Sequence, residues 1–180
     1  MLVIISGTNR RENRTRYFAK YALERIRKMD AISVGLIDLA EIAGIPTDGM
    51  LYDPEARPPT IRKLQDTLII PATKFWFFIP EYNGSYPGIV KLLLDAFSVR
   101  DRIASFESKK ACITGISSGR AGNLRGMDHL SDVLGHLGVI VHPNRVPISC
   151  IHNVLAPDNK LINAEVEQIL EKQILQITTF

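Results

Sequence analysis

The sequence predicts an α/β fold: a parallel β-sheet covered by helices on both faces. Three observations carry this expectation. Short apolar runs alternate with longer segments whose apolar residues recur at helical spacing, the pattern of successive β–α units. The run Phe75-Trp76-Phe77-Phe78-Ile79 is apolar at every position, as in a strand covered on both sides. Polar, glycine-containing loops follow the first, third and fourth strand-like runs. In a doubly wound sheet of order 2-1-3-4-5 those carboxyl ends lie side by side, and the first and third flank the switch point where such sheets bind ligands.

In chain order, strands are expected near Leu2–Ser6, Ile32–Asp38, Lys74–Ile79, Ala111–Ile116 and Val139–Val141. Helices fit near Thr15–Met29, Thr60–Ile70, Ile89–Phe97, Asn123–Leu137 and Ala164–Thr178. In the fourth helix Leu124, Met127, Leu130, Val133, Leu134 and Leu137 form one apolar stripe facing the core. The third, with Ile89, Val90, Leu92, Leu93, Leu94, Ala96 and Phe97, is apolar nearly all round, which points to a subunit interface as its further cover. Leu39–Pro59, with Pro46, Gly49, Pro54, Pro58 and Pro59, has no clear period, as expected of a binding or interface segment.

One hundred and eighty residues suit a single domain spanning 1–180. With 46% hydrophobic and 23% charged residues the composition is that of an ordinary soluble globular protein. No apolar run is long enough to span a membrane. Leu2-Val3-Ile4-Ile5 lacks a basic leader and reads as a first strand, not a signal peptide. Two cysteines, Cys112 and Cys150, in no metal-like or redox-like spacing fit a reducing cytoplasmic setting. A net charge of +3, dispersed apart from Arg10–Arg16, is too mild for a nucleic-acid module.

The first loop, Gly7-Thr8-Asn9-Arg10-Arg11-Glu12-Asn13-Arg14-Thr15, leads into a helix. Hydroxyls, an amide and arginines beside a helix N-terminus suit a phosphate monoester. Asn9 and Glu12 stand where a dinucleotide loop has its second and third glycines, so Asp38 reads as a surface carboxylate and not a ribose ligand. The second loop, Pro80-Glu81-Tyr82-Asn83-Gly84-Ser85-Tyr86-Pro87-Gly88, offers an aromatic surface, an amide and tight glycine turns near a planar ligand. The third is Gly115-Ile116-Ser117-Ser118-Gly119-Arg120-Ala121-Gly122. Together the three read as a cradle for flavin mononucleotide (FMN). The histidines, His129, His136, His142 and His152, show no metal-ligand spacing and are assigned structural roles.

The second loop, with Lys91 and Asp95 beyond it, resembles the hallmark of the NADPH-dependent FMN reductase family, flavodoxin-like flavoproteins related to quinone, azo-dye and chromate reductases. The first loop is similar to that family's Gly-Ser-x-Arg-x-x-Ser motif, with Thr8 and Asn13 in place of serines. The third resembles its Ser-x-Gly-Arg-x-Gly turn. The resemblance runs from about Leu2 to Val141. It implies a flavodoxin-like three-layer sandwich. It also implies that Thr8, Arg10, Asn13, Arg14 and Thr15 hold the FMN phosphate, that Pro80, Glu81, Tyr82, Asn83 and Gly84 line the ring, and that Ser117, Ser118 and Gly119 flank its other side. NADPH or NADH would be the co-substrate, a small molecule the electron acceptor, and the assembly a homodimer or homotetramer. Arg120 or Arg125 would meet a nicotinamide 2′-phosphate. Backbone N–H groups near Ser118–Gly119 would stabilise negative charge on the reduced ring, and no side-chain nucleophile is required. A flavodoxin-like electron carrier is the alternative, although such carriers tend to be acidic and this chain has a pI near 8.9.

Overall fold

In the computed structural model, which describes residues 1–29, 32–45, 52–53 and 58–180, the expected parallel sheet is present in the order β2-β1-β3-β4-β5. Its strands are β1 (Leu2–Ser6), β2 (Val34–Asp38), β3 (Lys74–Pro80), β4 (Lys110–Ile116) and β5 (Ile140–Val141). A sixth strand, β6 (Val146–Ile148), was not foreseen. It pairs with β4 beyond the end of β5, so that β5 and β6 act as two pieces of one interrupted edge strand. Two prolines explain the interruption. Pro143 lies in the gap, and Pro147 lies within β6, where an edge position tolerates its missing N–H.

The helices are α1 (Thr15–Met29), α2 (Pro59–Leu64), α3 (Gly88–Val99), α4 (Arg102–Phe106), α5 (Leu124–His136) and α6 (Ala164–Thr179). Because strand side chains alternate, Val3, Ile5, Phe75, Phe77, Ala111 and Ile113 face one layer, with Ile61, Phe97, Phe106, Met127, Leu130 and Leu134 packed on them. Leu2, Ile4, Trp76, Phe78 and Cys112 face the other, against Phe18, Ala22 and Ile26 of α1 and Leu170, Ile174 and Ile177 of α6. The continuous apolar character of β3 is thereby satisfied on both sides.

Two local departures have identifiable causes. The helix expected over Thr60–Ile70 changes period: after α2 the chain continues as a π-helical turn, Gln65–Ile69, with Ile70 N–H donating to Gln65 O at 2.9 Å. The buried Gln65 side chain explains the widened turn, since its Nε2 reaches Phe97 O, Arg100 O and Ser105 Oγ across the layer. The end of that turn is closed by Lys109, whose Nζ donates to Ile69 O and Ile70 O at 2.7 and 2.9 Å, while burial pushes its pKa down to about 8. In the apolar α3, Val90, Leu93, Leu94, Ala96 and Phe97 are buried within the chain, and Ile89 and Leu92 remain partly exposed. Asp38, expected on the surface, is buried beside Arg16. Of the Leu39–Pro59 segment, residues 46–51 and 54–57 lie outside the described residues, and with them its expected role.

The two cysteines differ sharply. Cys112 is fully buried within β4 and burial pushes its thiol up to about 12, whereas Cys150 is half-buried. Because the thiolate is the reactive form, a maleimide applied to the folded protein at neutral pH is expected to label Cys150 and spare Cys112, with both labelled in denaturant. Peptide mapping that found Cys112 modified in the folded protein would contradict this packing.

Candidate active site

The site is set by where three strands stop. Ser6 pairs with Phe78, and Pro80 with Ile116, so β1, β3 and β4 end at neighbouring levels. The Gly7 amide extends the ladder to Phe78 O at 2.8 Å, and Glu81 N–H donates to Ile116 O at 2.9 Å. Gly7 is required for this approach: a Cβ there would sit 2.9 Å from Ile79 Cγ2 and 3.0 Å from Phe78 O.

In the first loop Thr8 is buried, and its Oγ1 accepts from the Arg10 amide at 3.2 Å. Asn13 caps α1: its Oδ1 accepts from Arg16 N–H at 3.0 Å while its Nδ2 donates to Arg10 O at 2.6 Å, folding the loop back on itself. Arg16 is withdrawn from the loop by Asp38 at 2.8 Å and Glu41 at 3.5 Å. Arg10 and Arg14 remain at the cleft, together with the carboxylate of Glu12.

The second loop is a two-residue hairpin. Tyr82 and Ser85 exchange backbone hydrogen bonds at 2.8 and 3.1 Å, and Asn83 and Gly84 have φ of 51° and 77°. Asn-Gly is the residue pair that a type I′ turn demands, so Asn83 serves the backbone as well as any ligand. Tyr82 Oη lies 2.7 Å from Thr8 Oγ1, cross-linking the first and second loops. The third loop is sewn to the chain beyond β6. Ser117 N–H donates to Ile148 O at 2.9 Å, Cys150 N–H to Gly119 O at 3.0 Å and Ile151 N–H to Ser117 O at 3.1 Å. Ser117 Oγ closes on Gly119 O at 2.8 Å. Among the described residues the amides of Ser118 and Gly119 have no acceptor in the chain.

These loops enclose an open cleft of about 680 Å³, within the range of cofactor-sized pockets. Thr8, Arg10, Asn13, Arg14, Thr15, Pro80, Glu81, Tyr82, Asn83, Gly84, Ser117, Ser118 and Gly119 all line it, so the structure brings together the residues expected around the phosphate and the ring. Arg120 is not in its wall. Arg125 lies outside it too, with its guanidinium about 3.6 Å from where a Gly84 Cβ would be.

Sequence reasoning missed Glu12, Ile116, Ile151 and His152, which complete the lining. His152 had been given a structural role, yet it stands in the cleft wall with Nδ1 3.1 Å from Arg14. No local pattern marks it, because it arrives only through the pairing of β6 with β4. Asn123 was read only as a helix start. It is buried in the left-handed conformation (φ 64°), and its Nδ2 donates to Ile79 O and Pro80 O at 3.1 and 3.0 Å, pinning the base of the second loop.

The donor set fits FMN: cationic arginines and a capped helix start for a dianionic phosphate, and an aromatic side chain and free amides for a polar-edged ring. A doubly wound sheet carrying such a cleft at its switch point defines a flavodoxin-type nucleotide-binding protein. Residues 1–153 match the family described as NADPH-dependent FMN reductase, and the chain belongs to that family. It is therefore an FMN-dependent oxidoreductase drawing on a reduced nicotinamide. A curated relative, 2-hydroxy-1,4-benzoquinone reductase from a Burkholderia species, is 26% identical over 140 residues, 78% of this chain and 73% of its own. Among solved structures, the flavoenzyme NAD(P)H:(acceptor) oxidoreductase FerB from Paracoccus denitrificans superposes with a TM-score of 0.76 at 20% identity, covering 98% of this chain and 93% of its own. An azoreductase from Bacillus anthracis gives 0.64 at 13% identity, covering 99% and 96%. Both share the fold.

Asn123→Ala removes two buried hydrogen bonds and places alanine in the left-handed region. It is expected to destabilise the protein by about 2–3 kcal/mol. Asn123→Gly, which keeps the backbone conformation accessible, should cost about 1 kcal/mol less. Urea denaturation giving wild-type stability for Asn123→Ala would dismiss its pinning role.

Proposed function

We propose that this cleft holds FMN, with its phosphate at Thr8, Arg10, Asn13, Arg14 and Thr15 and its ring between Pro80–Gly84 and Ser117–Gly119, and that the enzyme reduces a quinone or similar small organic acceptor with NAD(P)H. The observation carrying the reading is the junction of the three loops, made by the Thr8–Tyr82 contact and the Glu81–Ile116 hydrogen bond. When bound, FMN supplies reversible two-electron chemistry, so a quinone, NAD(P)H and a proton give a hydroquinone and NAD(P)⁺.

The chain's own residues bind and orient. Arg10 and Arg14 neutralise phosphate charge, and the first-turn amides of α1 add dipole and hydrogen bonds. The unpaired amides of Ser118 and Gly119 offer fixed dipoles where negative charge develops, without reorganisation. Tyr82, held by Thr8, contributes an aromatic wall. A quinone acceptor is supported by the Burkholderia relative, which reduces a benzoquinone. Arg125, above Gly84, is the residue we place nearest a nicotinamide phosphate.

Residues 1–180 are taken as one flavin-binding domain, because α6 is bonded into the sheet through buried Gln173. Among the described residues no helix is long and apolar enough to cross a membrane. We place the protein in the cytoplasm as a homodimer or homotetramer, with α3 at the interface, a point for light scattering to test.

Arg10→Ala is expected to weaken FMN binding about tenfold or more while leaving riboflavin, which lacks the phosphate, little changed. Equal losses in fluorescence titrations would reject the phosphate assignment. Mixed anaerobically with NADPH or NADH, the FMN-loaded protein should bleach rapidly and recolour on adding a benzoquinone. A yellow protein inert to both nicotinamides would be a carrier and not a reductase.

A further inference from the structure

We infer that His152 is a fourth point of the cofactor cradle, holding Arg14 in place and donating to the FMN phosphate from outside the three loops. The inference rests on the FMN reading above. The backbone at His152 is fixed by the fold, and its imidazole is exposed. His152 lies in the short 3₁₀ turn Ile151–Asn153, whose entry is locked by Cys150 in the left-handed conformation (φ 49°). Cys150 N–H and Ile151 N–H donate to Gly119 O and Ser117 O, Asn153 N–H turns back to Cys150 O at 2.8 Å, and the Ile151 side chain is buried. The imidazole is therefore carried by the third loop and set in the cleft wall beside the first.

Its partner defines its chemistry. A guanidinium only donates, so the 3.1 Å contact with Arg14 makes Nδ1 of His152 the acceptor and leaves the hydrogen on Nε2. His152 thus spends one nitrogen on orienting Arg14 and keeps the other as a donor. The charged groups that line the cleft are Arg10, Glu12 and Arg14 of the first loop and Glu81 of the second. The Glu12 carboxylate opposes a phosphate dianion, and Arg16 is already committed to Asp38, so the phosphate gains from a further donor. Hydrogen bonds to an ionised phosphate are the stronger kind.

The test compares FMN with riboflavin in wild-type protein and in His152→Ala, His152→Gln, Arg14→Ala and the Arg14→Ala/His152→Ala double variant. We expect His152→Ala to raise the FMN dissociation constant about tenfold and that of riboflavin less than about twofold. His152→Gln, which keeps a donor and an acceptor, should recover much of the loss. In the double variant the two losses should fall short of additive, because they share one contact. Equal weakening of FMN and riboflavin, or unchanged FMN affinity in His152→Ala, would overturn the inference while leaving the FMN reading intact. Failure of wild-type protein to prefer FMN over riboflavin would overturn the phosphate reading, and this inference with it.

Discussion

The site depends on the register of three strands, and one buried polar chain fixes the pairing of β3 with β4. β3 is apolar on both faces, so hydrophobicity alone would tolerate a slip of one residue along β4. Trp76 removes that freedom. Its Nε1 donates to Thr114 Oγ1 at 2.8 Å, Thr114 donates to Gln173 Oε1 at 2.7 Å, and Gln173 Nε2 donates to Ile113 O at 3.1 Å. Any other pairing of β3 with β4 would strand the indole N–H in the core, costing about 1–3 kcal/mol, because Thr114 would stay with Gln173. With Trp76 opposite Cys112 and Ile4, the strand ends follow, and the three loops emerge together.

Charge at the cleft is allotted by pairing as much as by composition. Four arginines cluster between residues 10 and 16, but Asp38 and Glu41 claim Arg16, leaving Arg10 and Arg14 at the opening. Asn13 spends its side chain on capping α1 and folding the loop, so its value to a ligand lies largely in aiming backbone amides. Asn83 has the same double character, since the turn that presents it needs a residue tolerant of positive φ. The polar residues that hold the loops in shape are thus the ones that line the cleft.

The strands, the main helices and all three loops were legible because each is a local pattern: alternation, helical period, or a glycine-rich turn after an apolar run. What stayed hidden depends on contacts between distant segments. The π-turn at Gln65 answers to carbonyls of Phe97 and Arg100, and the burial of Asp38 to Arg16. β6 required reading Pro147 as an edge residue, and His152 becomes part of the site only because β6 pairs with β4. The apolar helix α3 divides its side chains: Val90, Leu93, Leu94, Ala96 and Phe97 are buried within the chain, while Ile89 and Leu92 remain partly exposed.

The most direct test of the central claim is a crystal structure of the protein soaked with FMN. Density is expected with the phosphate against Thr8–Thr15 and the isoalloxazine between Tyr82 and the Ser118–Gly119 amides. Flavin bound away from the ends of β1, β3 and β4, or with its phosphate turned to the ring side of the cleft, would contradict it.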